Sequence, residues 1–171
     1  MNKLKISQVQ FQASHVPALN AKIIEKSFNN TLKFKPHLIC TPECSNIITN
    51  DKSYLILNAP YQNTCPVLKM AKDFAKKNKV NINLGSLVLR IKNKTKLVNR
   101  SFFINNYGVI KKTYDKIHMF DVEINNKEKH QESSLFKAGN KIIFTKINNI
   151  KLGMTICYVL RFPNLYRQLA K

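Results

Sequence analysis

Apolar and polar positions follow two different periods along the first third of the chain. Residues Leu4 to Gln10 alternate between apolar and polar, which predicts a β-strand. Residues Pro17 to Phe34 carry apolar side chains at helical spacing, which predicts a helix. An apolar run from His37 to Thr41 predicts a short buried strand. The irregular stretch over residues 46–61 has room for one helix around Lys52 to Leu57.

Strands dominate the pattern from residue 81 onward. Thr64 is expected to cap the helix that follows it, which carries Pro66 in its first turn. Three consecutive strands are then predicted, over Asn81–Ile91, Leu97–Ile104 and Val109–Tyr114. The turn at Asn105–Gly108 makes the last two strands an antiparallel hairpin.

The segment from Ile117 to Lys141 is polar and has no clear period, so it is interpreted as a connection. Two more strands, Lys141–Lys146 and Lys151–Ile156, are joined by a turn at Asn148–Asn149 and lead directly to Cys157. The chain shows no internal repeat, linker or boundary, so residues 1–171 are interpreted as a single domain.

Three reactive side chains each stand just past the end of a predicted strand: Glu43, Lys116 and Cys157. Such residues converge at one edge of a sheet, where α/β proteins usually place their sites. Cys157 is followed by a helix start at Pro163, so its sulfur is expected at a sharp turn where backbone N–H groups favour negative charge. Taken alone, a cysteine in an apolar run is more often a small buried core residue.

The text around these three residues resembles the nitrilase (carbon–nitrogen hydrolase) superfamily. Three motifs support this resemblance: "TPE" with Glu43, "YDKIHMFD" with Lys116 and "GMTICYVLRFP" with Cys157. Their order and spacing match, and the linking segments "NRSFFINNYG" and "HQESSLFKAGNK" are similar to the amidase branch that contains deaminated glutathione amidase and ω-amidase. The resemblance runs from Leu4 to Lys171.

The resemblance implies an α/β fold of the α-β-β-α sandwich type and a Glu-Lys-Cys triad. Cys157 would attack an amide and form a thioester, with Glu43 as general base and Lys116 stabilising the oxyanion beside the backbone N–H of Tyr158. Glu132 matches a second family glutamate that would orient the substrate near Lys116. The implied substrate is a small ω-amide of a carboxylic acid, and no metal or cofactor is required.

Two departures from the family text affect this interpretation. Val159 stands where the branch carries an acidic residue, which puts the local order of the turn and the setting of Arg161 in question. The chain ends at Lys171, whereas family members continue, so it resembles about the N-terminal two-thirds of a domain. A second hypothesis is therefore an inactive shortened or split-gene fragment. The expected partners are a small-molecule amide and either further copies of the chain or a complementing C-terminal chain.

The formal net charge is +20, from 29 Lys and Arg against 9 Asp and Glu. Polyanion binding is a third hypothesis, and it predicts a steep dependence on salt without sequence preference. The lysines are dispersed and form no basic stripe interleaved with aromatic residues, which is more typical of a Lys- and Asn-rich composition. A specific nucleic-acid partner and a membrane partner are therefore not expected.

The four cysteines show no CxxC spacing, and the N-terminus has no signal-peptide pattern, so a cytoplasmic location is expected. Cys40 is interpreted as strand core, Cys65 as filling the start of a helix, and Cys44 as structural because strand parity would point it away from Glu43. His118 is expected to pack in the lysine loop. The remaining acidic neighbours, Asp115 and Asp121, are expected to cap turns.

Overall fold

The structure is a computed structural model that describes residues 3–125 and 128–171. Its helices and strands are, in chain order, β1 (Ile6–Gln8), α1 (Pro17–Thr31), β2 (Leu38–Cys40), α2 (Lys52–Asn58), α3 (Pro66–Asn78), β3 (Asn81–Arg90), β4 (Leu97–Ile104), β5 (Ile110–Asp115), β6 (Asp121–Asn125), β7 (Glu128–Gln131), α4 (Glu132–Leu135), β8 (Phe144–Ile147), β9 (Ile150–Gly153) and α5 (Pro163–Ala170). Among these described residues, no helix is both long and apolar enough to cross a membrane.

The first five strands form one mixed sheet in the order β1-β2-β3-β4-β5. β1, β2 and β3 are parallel, and β3, β4 and β5 are antiparallel. The parallel pairs are joined through α1 and α3, whereas β4 and β5 meet across the predicted turn at Asn105–Gly108. The sequence therefore predicted each strand of this sheet and the hairpin that closes it.

The register of β3 against β4 shifts between Leu84 and Leu87. Gly85 lies inside this shift, and a Cβ placed there would come within 2.2 Å of the carbonyl oxygen of Thr41. Glycine therefore allows the segment after β2 to approach β3 at this point. The hydroxyl oxygen of Ser86 then accepts a hydrogen bond of 2.8 Å from the backbone N–H of Cys44, which fixes that segment against the sheet.

One face of the sheet is covered by α1 and α3. The rings of Phe28 and Phe74 meet edge to face at 5.2 Å between these helices, and both are buried. The predicted cap on α3 is wrong: the residue before the helix is Cys65, and the Thr64 hydroxyl instead bonds the carbonyl oxygen of Tyr61. Thr64 ends a short 3₁₀ turn, which points its hydroxyl backward along the chain.

The opposite face of the sheet is covered by the β8–β9 hairpin. Ile147, Met154 and Ile156 form a buried cluster there with Phe103 and Tyr114 of the sheet. On the far side of the hairpin lies α5, because a Cβ at Gly153 would contact the side chain of Leu169 at 2.8 Å. The layers are therefore helices, sheet, hairpin and helix, in the α-β-β-α order that was expected.

The segment between Ile117 and Lys141 is more regular than its sequence indicated. It contains the antiparallel pair β6–β7 and the short helix α4. β6 alternates polar and apolar residues, but it is only five residues long, and β7 is wholly polar, so the sequence predicted no strand pair here. Backbone pairing, and not burial, defines these strands. The Asn126–Lys127 link between them lies outside the described residues.

Candidate active site

Glu43 opens a turn over residues 43–46 directly after β2. The side chain of Asn46 anchors this turn by donating to the carbonyl of Val88 and accepting from its N–H, each at 2.8 Å. The amide of Asn99 on β4 then donates to Glu43 Oε1 at 2.8 Å. Two asparagines therefore fix the turn and its carboxylate from the two neighbouring strands.

Lys116 follows β5 and is 2% exposed. Its Nζ donates to Glu43 Oε1 at 3.0 Å and lies 2.9 Å from Glu132 Oε2. Burial alone would lower the pKa of Lys116, but the hydrogen bonds and charges of Glu132 and Glu43 outweigh that effect and raise it. Lys116 therefore stays an ammonium group held between two carboxylates.

Glu132 begins α4 at the end of the β6–β7 hairpin. Its Oε2 accepts a hydrogen bond of 2.6 Å from the backbone N–H of Phe120, and its Oε1 accepts from Lys116 at 3.0 Å. Asp121 caps the same turn by accepting from the N–H of Ser133 at 2.9 Å, in agreement with the turn-capping prediction. The hairpin therefore delivers a carboxylate whose two oxygens are both engaged.

Cys157 stands between the extended residue Ile156 and a 3₁₀ turn over Cys157–Arg161. Its backbone φ is +47°, in the left-handed region that residues other than glycine rarely adopt. The side chain is exposed, and the N–H of Tyr158 faces its sulfur. The predicted sharp turn after the last strand is thus present, and it projects the thiol outward through a strained backbone.

The pKa of the Cys157 thiol is raised above its ordinary value of 9.0. Partial desolvation is the main cause, followed by the negative charge of Glu43 and a hydrogen bond with that carboxylate. Lys116 and the Tyr158 N–H act in the opposite direction. The resting sulfur is therefore a protonated thiol that interacts with Glu43, the nearest group able to take its proton.

Aromatic rings connect the lysine loop to the turn after Cys157. The rings of Phe120 and Tyr158 meet edge to face at 5.0 Å, and those of Tyr158 and Phe162 at 5.5 Å. The His118 ring packs against Phe162 with centroids 3.6 Å apart, as expected for a packing residue. Burial lowers the pKa of His118, which favours its neutral form in this cluster.

These side chains border an open cavity of about 370 Å³. Glu43, Lys116, Glu132 and Cys157 line it, together with Cys44, Lys52, Phe120, Lys129, His130, Gln131, Leu135 and Phe136. The prediction that Cys44 points away from Glu43 is wrong, because Cys44 lies in a turn with φ of +53° where strand parity does not apply. Burial and the charge of Glu43 raise the pKa of the Cys44 thiol, so this thiol remains protonated.

Val159 is fully buried, and its N–H closes the 3₁₀ turn by donating to the carbonyl of Ile156 at 3.3 Å. An unpaired carboxylate at this depth would be costly, so the apolar side chain suits its surroundings. Arg161 is exposed and has no ion-pair partner within residues 3–125 and 128–171. The turn is therefore ordered by backbone bonds and burial instead of by an acidic side chain.

Asp115 does not cap a turn, contrary to the sequence prediction. Both of its carboxylate oxygens accept hydrogen bonds from the guanidinium group of Arg100, at 2.6 and 2.9 Å. Sequence reasoning missed this pair because its partners lie opposite each other on β4 and β5. Cys65 is buried at the start of α3 as expected, and Cys40 is partly buried in β2.

Sequence analysis named four side chains that the structure brings together: Lys116 contacts Glu43 and Glu132, and Glu43 interacts with Cys157. It missed Asn99 and the Phe120 N–H, which hold the two carboxylates. Asn99 had a detectable signal, since it is a buried amide within the apolar strand β4. The backbone N–H of Phe120 gave no such signal in the sequence.

Within the described part of the chain, no group of three His, Cys, Asp or Glu side chains could hold a metal ion.

Three comparisons with known proteins identify the family and the fold of this chain. Residues 6–171 match the protein family described as Carbon-nitrogen hydrolase. The chain is 33% identical over 178 residues to a deaminated glutathione amidase of Dictyostelium discoideum, covering 100% of this chain and 61% of the relative. It is 28% identical over 171 residues to an omega-amidase of Saccharomyces cerevisiae, covering 95% of this chain and 58% of the relative. The chain thus spans about three-fifths of the length of these relatives.

Solved structures support the same assignment at the level of the fold. The Caenorhabditis elegans NitFhit protein superposes with a TM-score of 0.82 at 27% identity, covering 95% of this chain and 39% of that chain. A Saccharomyces cerevisiae member of branch 10 of the nitrilase superfamily gives a TM-score of 0.81 at 21% identity, covering 98% of this chain and 60% of that chain. The expected sandwich is confirmed as part of a larger fold, and the chain belongs to the carbon–nitrogen hydrolase family of the nitrilase superfamily.

Proposed function

We propose that this chain carries the reacting groups of an amidase that cleaves a small ω-amide to a carboxylate and ammonia. The observation that supports this most is the buried Lys116 ammonium, bound to both Glu43 and Glu132 beside the Cys157 thiol. This set combines a nucleophile, a base that interacts with it and a fixed positive charge.

In the first half of the reaction, Glu43 takes the proton of the Cys157 thiol and the sulfur attacks the amide carbon. The carbonyl oxygen becomes an oxyanion. An ammonium group has three N–H donors, and Glu43 and Glu132 occupy two on Lys116, so the third is available to this oxygen. The N–H of Tyr158 is the second donor. Glu43 then returns its proton to the leaving nitrogen, and ammonia departs from a thioester.

In the second half, water replaces ammonia in the same position. Glu43 removes a proton from the water as its oxygen attacks the thioester carbon, and the same two donors stabilise the new oxyanion. Collapse breaks the C–S bond, releases the carboxylic acid and returns the proton to the Cys157 sulfur. Each step uses the same three groups, which explains why Glu43 needs the firm support that Asn99 gives it.

The cavity supports a substrate that carries a negative charge. Lys52 and Lys129 line it in addition to Lys116, whose single positive charge is already exceeded by the negative charges of the two glutamates. Lys129 forms an exposed ion pair with Glu123 at 3.4 Å, whereas Lys52 has no ion-pair partner among the described residues. We therefore infer that Lys52 binds the carboxylate at the other end of an ω-amide substrate. Relatives named deaminated glutathione amidase and omega-amidase are consistent with such a substrate.

The charge at the cavity can be measured without turnover by alkylating Cys157 with iodoacetate and with iodoacetamide. Lys52→Met should lower the iodoacetate rate several-fold relative to the iodoacetamide rate, because only the first reagent is anionic. Lys22→Met is the matched control, because it also removes one positive charge but lies on the exposed side of α1. If the ratio of the iodoacetate rate to the iodoacetamide rate is the same in both variants, Lys52 does not contribute to the substrate site.

The activity itself is tested by ammonia release from succinamate-type ω-amides, with Cys157→Ala as the control. We expect turnover that the control abolishes. Since the chain spans 61% of its Dictyostelium relative, the assay is run on the chain alone and after gel filtration, to identify the assembled state that carries activity. The proposed assembly is a homo-oligomer or a complex with a complementing C-terminal chain.

The free thiols of Cys40, Cys44, Cys65 and Cys157 fit a reducing cytoplasmic compartment.

An inactive shortened chain is the second candidate, and exposed apolar side chains favour it. β8–β9 forms a separate two-stranded sheet, Phe144 of β8 is 46% exposed, and Leu160 in the turn over Cys157–Arg161 is 72% exposed. A folded chain without turnover, whose Cys157 is labelled at the same rate as a free thiol, would support this candidate over the amidase.

A further inference from the structure

A groove of about 590 Å³ lies outside the cavity that contains Cys157. One wall comes from the 3₁₀ turn before α3 and from α3 itself, and the other comes from β3, β4 and β5. Its floor includes the buried apolar residues Cys65, Leu68, Leu89 and Val98. The two cavities share no lining residue. The volume of the groove is within the range of small-molecule sites.

The groove is lined by an excess of positive charge. Its basic residues are Lys69, Lys72, Arg90, Lys92 and Arg100, and its acidic lining residue is Asp73. Asp73 is bound by Lys69 at 2.7 Å, and Arg100 is bound by Asp115 from outside the groove. Lys72, Arg90 and Lys92 have no ion-pair partner among residues 3–125 and 128–171. The groove therefore retains three uncompensated cations.

Arg90 distinguishes this groove from a merely basic surface. Its guanidinium group lies over the ring of Tyr61 at 4.6 Å, which restrains its orientation. Its Nε is buried, whereas the residue as a whole is half-buried and lines the groove, so the terminal Nη groups are the donors that a ligand can reach. The two Nη groups of a guanidinium match two oxygens of a carboxylate or phosphate.

We propose that this groove is a binding site for a small multivalent anion, a polyphosphate or a polycarboxylate. Arg90 binds two of its oxygens through its two Nη groups, and Lys72 and Lys92 bind the remaining charge. Arg100 lines the groove, donates to Gln62 at 2.9 Å and holds Asp115, the residue before Lys116. The site is therefore joined to the strand that positions Lys116, although the ligand would not touch the thiol.

The test is calorimetric titration of the chain with tripolyphosphate and, separately, with citrate, at about 0.15 M salt to suppress diffuse attraction. Arg90→Lys keeps the charge and removes the paired Nη donors, and a Lys72→Met, Lys92→Met double variant removes two charges from the groove. The matched control is Lys22→Met with Lys26→Met, since both lysines are exposed on α1. All variants are first shown to unfold cooperatively.

We expect one ligand per chain, about tenfold weaker binding in Arg90→Lys and in the groove double variant, and a change below about twofold in the control. The anion that binds more tightly identifies the source as phosphate or carboxylate. Equal weakening by both double variants, more than one ligand per chain or unchanged binding in Arg90→Lys would overturn the proposal and assign the affinity to net charge. None of these readouts requires turnover, so the result is independent of the amidase proposal.

Discussion

At the level of single residues, the Glu43 carboxylate interacts with an ammonium and a thiol at once. Lys116 stabilises its negative charge, and that negative charge in turn raises the pKa of Cys157. A base that can accept the proton of the thiol therefore also suppresses the resting thiolate. In the proposed reaction the proton would therefore leave the thiol only once a substrate is bound, because the resting thiol is protonated.

Glu43→Gln should separate these two effects. Removing the charge lowers the pKa of Cys157, so its alkylation by iodoacetamide at pH 8 should become about threefold to tenfold faster. Ammonia release should be lost in the same variant, because glutamine cannot accept a proton. The measurement is mass spectrometry of the Cys157 peptide over time, with Glu25→Gln on α1 as the control. Slower alkylation would show that Glu43 activates the thiol in the resting protein.

Lys116→Met should unfold more easily as well as lose activity. It leaves Glu43 and Glu132 beside each other without a counter-charge, and breaking a buried pair costs about 3 kcal/mol. Urea unfolding measures this loss, with the exposed Lys94→Met as the control. Adding Glu132→Gln should restore part of the stability and none of the activity. Unchanged stability in the single variant would contradict the buried ion pairs.

Sequence reasoning found the chemically distinctive residues and missed their supports. Glu43, Lys116, Glu132 and Cys157 stand in motifs of a known family, so their positions could be read directly. The N–H of Phe120 has no sequence signature, because every residue except proline has the same donor. Its role depends on the hairpin geometry, which the sequence did not predict.

At the level of elements, the long and deeply buried strands gave the clearest signal in the sequence. β3 and β4 are long apolar runs, and β8 and β9 flank an Asn-Asn turn. The β6–β7 hairpin gives a weaker signal, because the alternation over Asp121–Asn125 is short and Glu128–Gln131 contains no apolar residue. This undetected hairpin is also the element that delivers Glu132. The prediction therefore failed where one strand of a pair is short and the other is wholly polar.

Gly85→Ala should disrupt the contact between β3 and the segment after β2. Its Cβ would lie 2.2 Å from the Thr41 carbonyl oxygen, and backbone on both sides would have to move. We expect a loss above about 3 kcal/mol and displacement of the Glu43 turn. Gly153→Ala is the matched control, because its Cβ meets the flexible side chain of Leu169 and should cost less. Thermal unfolding compares the two, and equal losses would contradict the close approach.

At the level of the whole molecule, the layers are present but unequal. The five-stranded sheet carries two helices on one face, whereas the hairpin β8–β9 provides only two strands for the second sheet layer. Sequence reasoning anticipated this imbalance from the family resemblance and not from the local pattern. Phe144 on this hairpin and Leu160 in the turn over Cys157–Arg161 are large apolar side chains exposed to water.

We therefore expect the chain alone to self-associate through Phe144 and Leu160. Phe144→Ser combined with Leu160→Ser should shift its elution on gel filtration toward the monomer without lowering its unfolding temperature, because both side chains are exposed. Leu57→Ser on α2 is the control, since Leu57 is 71% exposed but belongs to another element. A monomeric unmodified chain at micromolar concentration would contradict the expectation.

The left-handed backbone at Cys157 has a consequence for how this position evolves. A residue with a Cβ pays about 1 kcal/mol or more for that conformation, whereas glycine adopts it freely. Cys157→Gly should therefore be more stable than Cys157→Ala in thermal unfolding, although neither has a thiol. Random substitution would drift toward a more stable protein without a nucleophile. The cysteine at this position therefore stands against the conformational preference of the chain.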